Sequence, residues 1–192
     1  MDLKDHYNTK SFSPIKEFRY PLQFIDVPTN YQGSGKRETN LQEKNYIEEL
    51  IYFLIFVLHI SCHKITILTP YRDQKYFLQS SFSQRFKEFA PLTFTVDEFQ
   101  GKENDAVLVS LTSFAKRPSG FLCDPRRVNV LTSRAKKLFI VFGNLSTFEN
   151  APQWEDIIKY FPSPYHLHLT FQTKNYSFKT LNDFRSFCSK YQ

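Results

Sequence analysis

Apolar residues fall along this chain in short, nearly continuous runs separated by longer stretches of mixed character. "LQFIDV" (22–27), "KITILTP" (64–70), "LTFTV" (92–96), "AVLVSLTSF" (106–114) and "LFIVFGN" (138–144) each have the length of a strand, and several are apolar on both faces. Between them, "NLQEKNYIEELIYFLIFVLH" (40–59), "YRDQKYFLQSSFSQRF" (71–86) and "DPRRVNVLTSRAKK" (124–137) read as helices. Asn40 followed by Glu43 makes a capping-box-like start, and Asp124 before Pro125 places an N-cap ahead of a first-turn proline. Strands alternating with helices, with strands apolar on both faces, predict an α/β fold: a mainly parallel sheet covered by helices on both sides. In such sheets ligands sit at the carboxyl ends of the strands. Beyond position 150 the pattern predicts a short helix near Trp154–Tyr160, an alternating strand "HLHLTF" and an amphipathic helix with Leu181, Phe184 and Cys188 on one side. The expected organisation is an irregular lead-in over 1–21, a sheet domain over 22–150 and a C-terminal extension over 151–192 that caps the sheet.

Composition narrows the class. The chain has 192 residues, 17% of them aromatic, including 21 Phe but one Met and one Trp, so Phe, Leu and Ile must fill the core. That content excludes a disordered chain. A net charge of +6 is compatible with a polyanionic partner and moves the reading only slightly. Three widely spaced cysteines with no CxxC argue against a disulfide scaffold or zinc module and fit an intracellular, reducing compartment. His59, Cys62 and His63 lie close together without a fourth ligand and read as helix-end residues. The apolar run Leu50–Ile60 is about half the length of a membrane span and reads as a buried helix, so no membrane partner is expected.

Candidate chemistry gathers at strand ends. "TVDEFQGKENDAVLVS" (95–110) packs Asp97, Glu98, Gln100, Gly101, Lys102, Glu103, Asn104 and Asp105 between two apolar strands. Arg127, Leu131 and Arg134 are spaced to share one helix face, and Arg126 and Arg127 stand in a first turn, where the helix dipole disfavours cations. Two readings remain open for them: an anionic ligand, or pairing with Asp124 or Glu103. "YQGSGKRE" (31–38) is not a phosphate loop, because Arg37 follows the Gly-Lys pair and Asn30 stands where the first glycine belongs. The carboxylates Asp97, Glu98, Glu103 and Asp105 could hold magnesium for a nuclease, but the carboxylate-x-Lys pattern after a strand is missing.

Together these stretches resemble consecutive motifs of superfamily 1 helicases, most closely the RNA helicases of the nonsense-mediated-decay type. Thr95, Val96, Asp97, Phe99, Gln100, Gly101, Glu103 and Asp105 match one motif, and Asp124, Pro125, Arg126, Arg127, Asn129, Val130, Arg134, Ala135 and Lys136 match the next. "ITILTPYRDQ" (65–74) is similar to a strand-end motif of the family, and Ser34, Gly35, Asn40 and Glu43 resemble an upstream one. The resemblance implies the second RecA-like domain of such an enzyme: a P-loop NTPase fold without its own P-loop. ATP and magnesium would be held mainly by a first, N-terminal RecA-like domain, in the same protein or a partner chain, with no metal ligand here. It implies that Arg134 is an arginine finger supported by Arg127. Gln100 and Gly101 would approach the γ-phosphate and Glu103 the ribose. Thr69, Pro70, Tyr71, Thr95 and Asp97 would face single-stranded nucleic acid, RNA favoured. The isolated chain would be inactive. A degenerate, non-catalytic binding module is the alternative. Leu131-Thr132-Ser133 replaces the family's Ala-Leu-Thr, and Lys136 stands where many relatives have Arg, which loses a bidentate fork.

Overall fold

A computed structural model describes residues 15–28, 39–112, 120–149, 151–162 and 165–191. The loop "YQGSGKRE" and the end of the fourth expected strand at 113 and 114 lie outside the described residues.

Five short apolar runs become five parallel strands: β1 (Leu22–Asp26), β2 (Ile65–Thr69), β3 (Leu92–Thr95), β4 (Asn104–Ser110) and β5 (Ala135–Gly143), in the order β1-β5-β4-β2-β3. Alternation along each strand divides the core in two. On one face Ile25, Ile67, Leu108 and Ile140 pack against α1 (Leu41–Tyr52) and α2 (Arg72–Phe86). On the other, Phe24, Val107, Val109 and Phe139 pack against α3 (Pro125–Thr132), α4 (Leu145–Phe148) and α5 (Pro152–Ile158). Strands buried on both faces favour apolar residues on both, which is why the sequence shows nearly continuous runs rather than alternation, and the buried polar exceptions such as Gln23, Thr69 and Ser110 are hydrogen-bonded or close to another hydroxyl. This is the expected α/β sheet with helices on both sides.

Three boundaries differ from expectation. The helix expected to run to His59 is α-helical only to Tyr52, continues as a π-helix over Phe53–Val57 and ends with His59 at φ +55. Cys62 and His63 therefore lie in a separate 3-10 turn, Cys62–Lys64, and are not part of that helix end. The third difference bears on function. α3 stops at Thr132, and β5 begins at Ala135, three residues earlier than the apolar run suggests. Ala135 pairs with Asn104, and the Asn104 amide donates to the Arg134 carbonyl at 3.1 Å. That strand hydrogen bond outcompetes another turn of helix. Arg134 therefore does not share a helix face with Arg127 and Leu131; it stands in the turn between α3 and β5.

The C-terminal residues form an antiparallel hairpin, β6 (Leu167–Phe171) and β7 (Lys174–Phe178), followed by α6 (Leu181–Cys188). Gln172 and Thr173 both have positive φ, as a tight two-residue hairpin turn requires. Phe178, Phe184 and Phe187 pack with Phe53 in the core under α1. The Gln23 side chain ties the hairpin to the β1 edge. The Gln23 amide donates to the His168 carbonyl at 3.1 Å, and the His168 amide donates back to Gln23 Oε1 at 2.9 Å. Gln23→Ala leaves two buried backbone groups unpaired and should lower stability by about 1–3 kcal/mol in a thermal unfolding measurement.

Candidate functional site

β3 and β4 are parallel, so the link from Val96 to Glu103 must travel from the carboxyl end of the sheet back to its amino end. It does so without a helix. Thr95 and Glu98 open it as a reciprocal cap: the Thr95 amide donates to Glu98 Oε2 at 2.8 Å, and the Glu98 amide donates to Thr95 Oγ1 at 3.3 Å. Lys75 anchors Glu98 from α2 at 2.8 Å, and these bonds, the Lys75 one foremost, hold the Glu98 carboxyl below its ordinary range. Val96 and Phe99 point into the core. Gly101 sits at φ +75 with open space around it, so glycine is needed there for backbone conformation, not for room.

α3 runs beside this link in the same direction. Asp124 caps it by accepting from the Arg126 amide at 3.0 Å, with Pro125 in the first turn, as the sequence pattern expects. Val128 and Leu131 anchor the helix in the core. Between link and helix lies a cleft of about 370 Å³. Asp97 and Gln100 form one wall; Asp124, Arg126 and Arg127 form the other, with Phe121 and Val130 adding apolar lining.

The basic residues differ in how they are held. Arg126 lies 3.3 Å from Asp124, and Arg127 lies 4.0 Å from the same carboxylate with its guanidinium 5.2 Å from the Phe121 ring. Hydrogen bonding to Arg126, first of all, keeps the Asp124 carboxyl below its ordinary range. Both first-turn cations therefore have Asp124 as a local partner. Arg134 has no acidic partner among the described residues. Its Nη1 donates to the Lys102 carbonyl at 3.4 Å, and its Nε is buried with nothing to bond. Glu103 pairs with Lys136 at 3.7 Å, and Asp105 with Lys137 at 3.0 Å. Each of Glu98, Glu103 and Asp105 therefore has its own lysine, and no group of three acidic, His or Cys side chains arranged to hold a metal occurs among the described residues.

The structure brings Asp97, Gln100 and Arg127 to one cleft. It sets Glu103 and Arg134 further along, at the amino ends of β4 and β5, away from the carboxyl ends where sheet ligands were expected. Thr69 and Thr95 lie at those carboxyl ends as direct cross-strand partners. Both are buried. Thr69 Oγ1 lies 3.4 Å from Thr112 Oγ1, and Thr95 Oγ1 serves the Glu98 cap. Pro70 and Tyr71 are half-buried and Asp97 is exposed.

Behind Thr69 lies a polar cluster that sequence reasoning missed: Asn40, Glu43, Gln74, Ser110 and Thr112, all buried. Asn40 and Glu43 were legible as a helix cap, and the Asn40 side chain does accept from the Glu43 amide at 2.9 Å. That the Glu43 side chain is also fully buried was not, because a cap position says nothing about what the helix end packs against.

A family model described as an AAA domain matches residues 2–146. The chain is 34% identical over 161 residues to NFX1-type zinc finger-containing protein 1 of Mus musculus, across 82% of this chain and 8% of that protein. It is 39% identical to helicase required for RNAi-mediated heterochromatin assembly 1 of Schizosaccharomyces pombe, across 82% of this chain and 16% of that protein. It is 33% identical to RNA helicase aquarius of Mus musculus, across 78% of this chain and 11% of that protein. The chain belongs to the AAA-domain family of superfamily 1 helicases. It matches a C-terminal domain of such helicases. This helicase domain spans less than a fifth of each of those three relatives. No helix among its described residues is long and apolar enough to cross a membrane.

Proposed function

We propose that this helicase domain supplies the arginine-bearing wall of an ATP site in an ATP-dependent helicase acting on single-stranded nucleic acid, RNA favoured. The observation that carries the reading is Arg134. A guanidinium with no carboxylate and a buried Nε with no hydrogen-bond partner among the described residues, with the Gln100–Glu103 link alongside, make a place for an anion. Of the other cations around the link, Lys75, Lys136, Lys137, Arg126 and Arg127 each have an acid within 4.0 Å, and Lys102, which has none among the described residues, sits over the Phe94 ring at 5.1 Å. A guanidinium stays charged at any working pH and can bridge two phosphate oxygens, which suits it to charge that grows on a γ-phosphate.

In this reading Gln100 and Gly101 approach the phosphate end, the glycine letting the backbone come close. Glu103 exchanges Lys136 for the ribose hydroxyls. Arg127, braced by Asp124 and Phe121, supports the arginine wall. Glu98, Glu103 and Asp105 are engaged by lysines and Asp124 by Arg126 and Arg127; magnesium would be held by the opposite, N-terminal RecA-like domain. Pro70, Tyr71 and Asp97, with Thr69 and Thr95 behind them, contact a nucleic-acid backbone at the other end of the sheet; such contacts position without reading bases. One link touching both surfaces would couple closure on ATP to movement along a strand. The name RNA helicase aquarius supports the preference for RNA.

The purified chain should show no ATP turnover alone and weak, salt-sensitive binding to single-stranded RNA. Helicase-like ATP hydrolysis by the isolated chain would overturn the reading.

A further inference from the structure

The sheet end that carries Thr69 holds a buried carboxyl group with no role in the reading above. Glu43 lies in the first turn of α1 and is fully buried. Its Oε1 accepts from Asn40 Nδ2 at 2.8 Å and its Oε2 accepts from Ser110 Oγ at 2.5 Å. Both oxygens accept from the Thr112 amide, at 3.1 and 3.0 Å. The remaining members brace this arrangement: Gln74 Nε2 donates to Ser110 Oγ at 2.9 Å, and the Asn40 amide donates to Gln74 Oε1 at 2.8 Å.

Thr112 is the unusual member. Its φ is +52, a left-handed conformation that a β-branched residue adopts only when its surroundings compel it. Its amide is bonded to Glu43, and its hydroxyl lies 3.1 Å from Ser110 Oγ and 3.4 Å from Thr69 Oγ1. One carboxyl group from α1 therefore bonds the backbone of Thr112, two residues past the end of β4, and the hydroxyl of Ser110 at that end. Burial pushes the Glu43 carboxyl up to about 8; in its neutral form the carboxyl proton goes to Ser110 Oγ, which turns its own hydroxyl hydrogen to Thr112 Oγ1, and the Thr112 amide stays bonded without a negative charge beside a phosphate backbone.

We propose that Glu43 is a positioning residue for the nucleic-acid face: by clamping the Thr112 amide it holds Thr112 in its left-handed conformation and sets the hydroxyl-lined end of β2 and β4. This inference rests on the nucleic-acid reading of that sheet end. Glutamine can keep both halves of the clamp, with its carbonyl accepting from the Thr112 amide and its amide donating to Ser110. Alanine and leucine can keep neither. Glycine at 112 needs no clamp, because it adopts positive φ freely.

The test is fluorescence anisotropy with a labelled single-stranded oligouridylate, together with hydrogen exchange at the Thr112 amide. Glu43→Gln should bind within about twofold of wild type. Glu43→Ala and the volume-matched Glu43→Leu should bind about tenfold more weakly, and Thr112→Gly added to either should recover most of that loss. A merely structural carboxyl would not be rescued by a glycine at 112. The Thr112 amide should be protected in wild type and Glu43→Gln and exchange freely in the other two. A folded Glu43→Ala or Glu43→Leu with wild-type affinity would overturn the proposal, as would an unchanged Thr112 exchange rate. If wild type binds no RNA while the exchange pattern appears as expected, the nucleic-acid reading fails and the proposed positioning role falls with it, whereas the clamp itself survives.

Discussion

Arg134→Ala should slow ATP hydrolysis by at least about a thousandfold in a protein that joins this domain to an ATP-binding RecA-like domain. The effect should fall on kcat, because the arginine meets charge that develops only as the γ-phosphoryl group leaves. Arg134→Lys should recover little: an ammonium keeps the charge but loses the fork that spans two oxygens. Folding should be unaffected, since the Arg134 side chain has no acidic partner to lose among the described residues and only one weak hydrogen bond, at 3.4 Å to Lys102. Lys159→Ala, which breaks an exposed pair with Glu155 on the far side of α5, serves as the control with an unchanged rate. The measurement is steady-state ATPase activity with and without single-stranded RNA. A loss of less than tenfold for Arg134→Ala would remove the arginine-finger assignment.

The second large effect is on stability against pH. Glu43 has a carboxyl pushed up to about 8 by burial in the folded state, against an ordinary value of 4.5. Between those values the folded protein holds a proton that the unfolded chain has released. Stability is therefore complete below the ordinary value and falls as pH rises, by up to about 1.4 kcal/mol per pH unit, until the folded carboxyl itself ionises. Its bonded partners are all uncharged: Asn40, Ser110 and the Thr112 amide, so no counter-ion offsets the burial. His166 acts in the opposite sense. Burial, chiefly, holds its ring below its ordinary 6.5, so its contribution is lost on acidification, and the two effects separate if the series runs from about pH 6.5 to 8.5. Unfolding midpoints in denaturant should fall steadily over that range for wild type and stay nearly level for Glu43→Gln. A flat wild-type profile would mean that Glu43 titrates as an ordinary surface carboxylate.

The particular residues show where sequence reading succeeds. Asp124 and Asn40 cap their helices, and Pro125 opens the first turn, as the local pattern predicts, because helix starts are settled within three or four residues. The doubly buried strands are legible because burial on both faces leaves few polar positions to interrupt the run. Arg134 shows the limit. Helical spacing assigns it to a face shared with Arg127, yet a hydrogen bond from Asn104, thirty positions away in the chain, holds it in the turn just before β5. Glu43 shows the same limit from another side. Its role as a helix-start residue is local, but its burial depends on Ser110 and Thr112, which the sheet alone brings near.

By itself the sequence determined the strand set, the helix starts and the candidate motifs, since each rests on side-chain periodicity or contacts within a few residues. Only the tertiary structure decided that the 96–103 link runs the length of the sheet. The same holds for Gln100 and Arg127 lining one cleft, Arg134 standing without an acidic partner among the described residues, and Glu43 bonding the Thr112 amide. Parallel pairing joins residues far apart in the chain, and no local pattern records which distant group will satisfy, or leave unsatisfied, a buried charge.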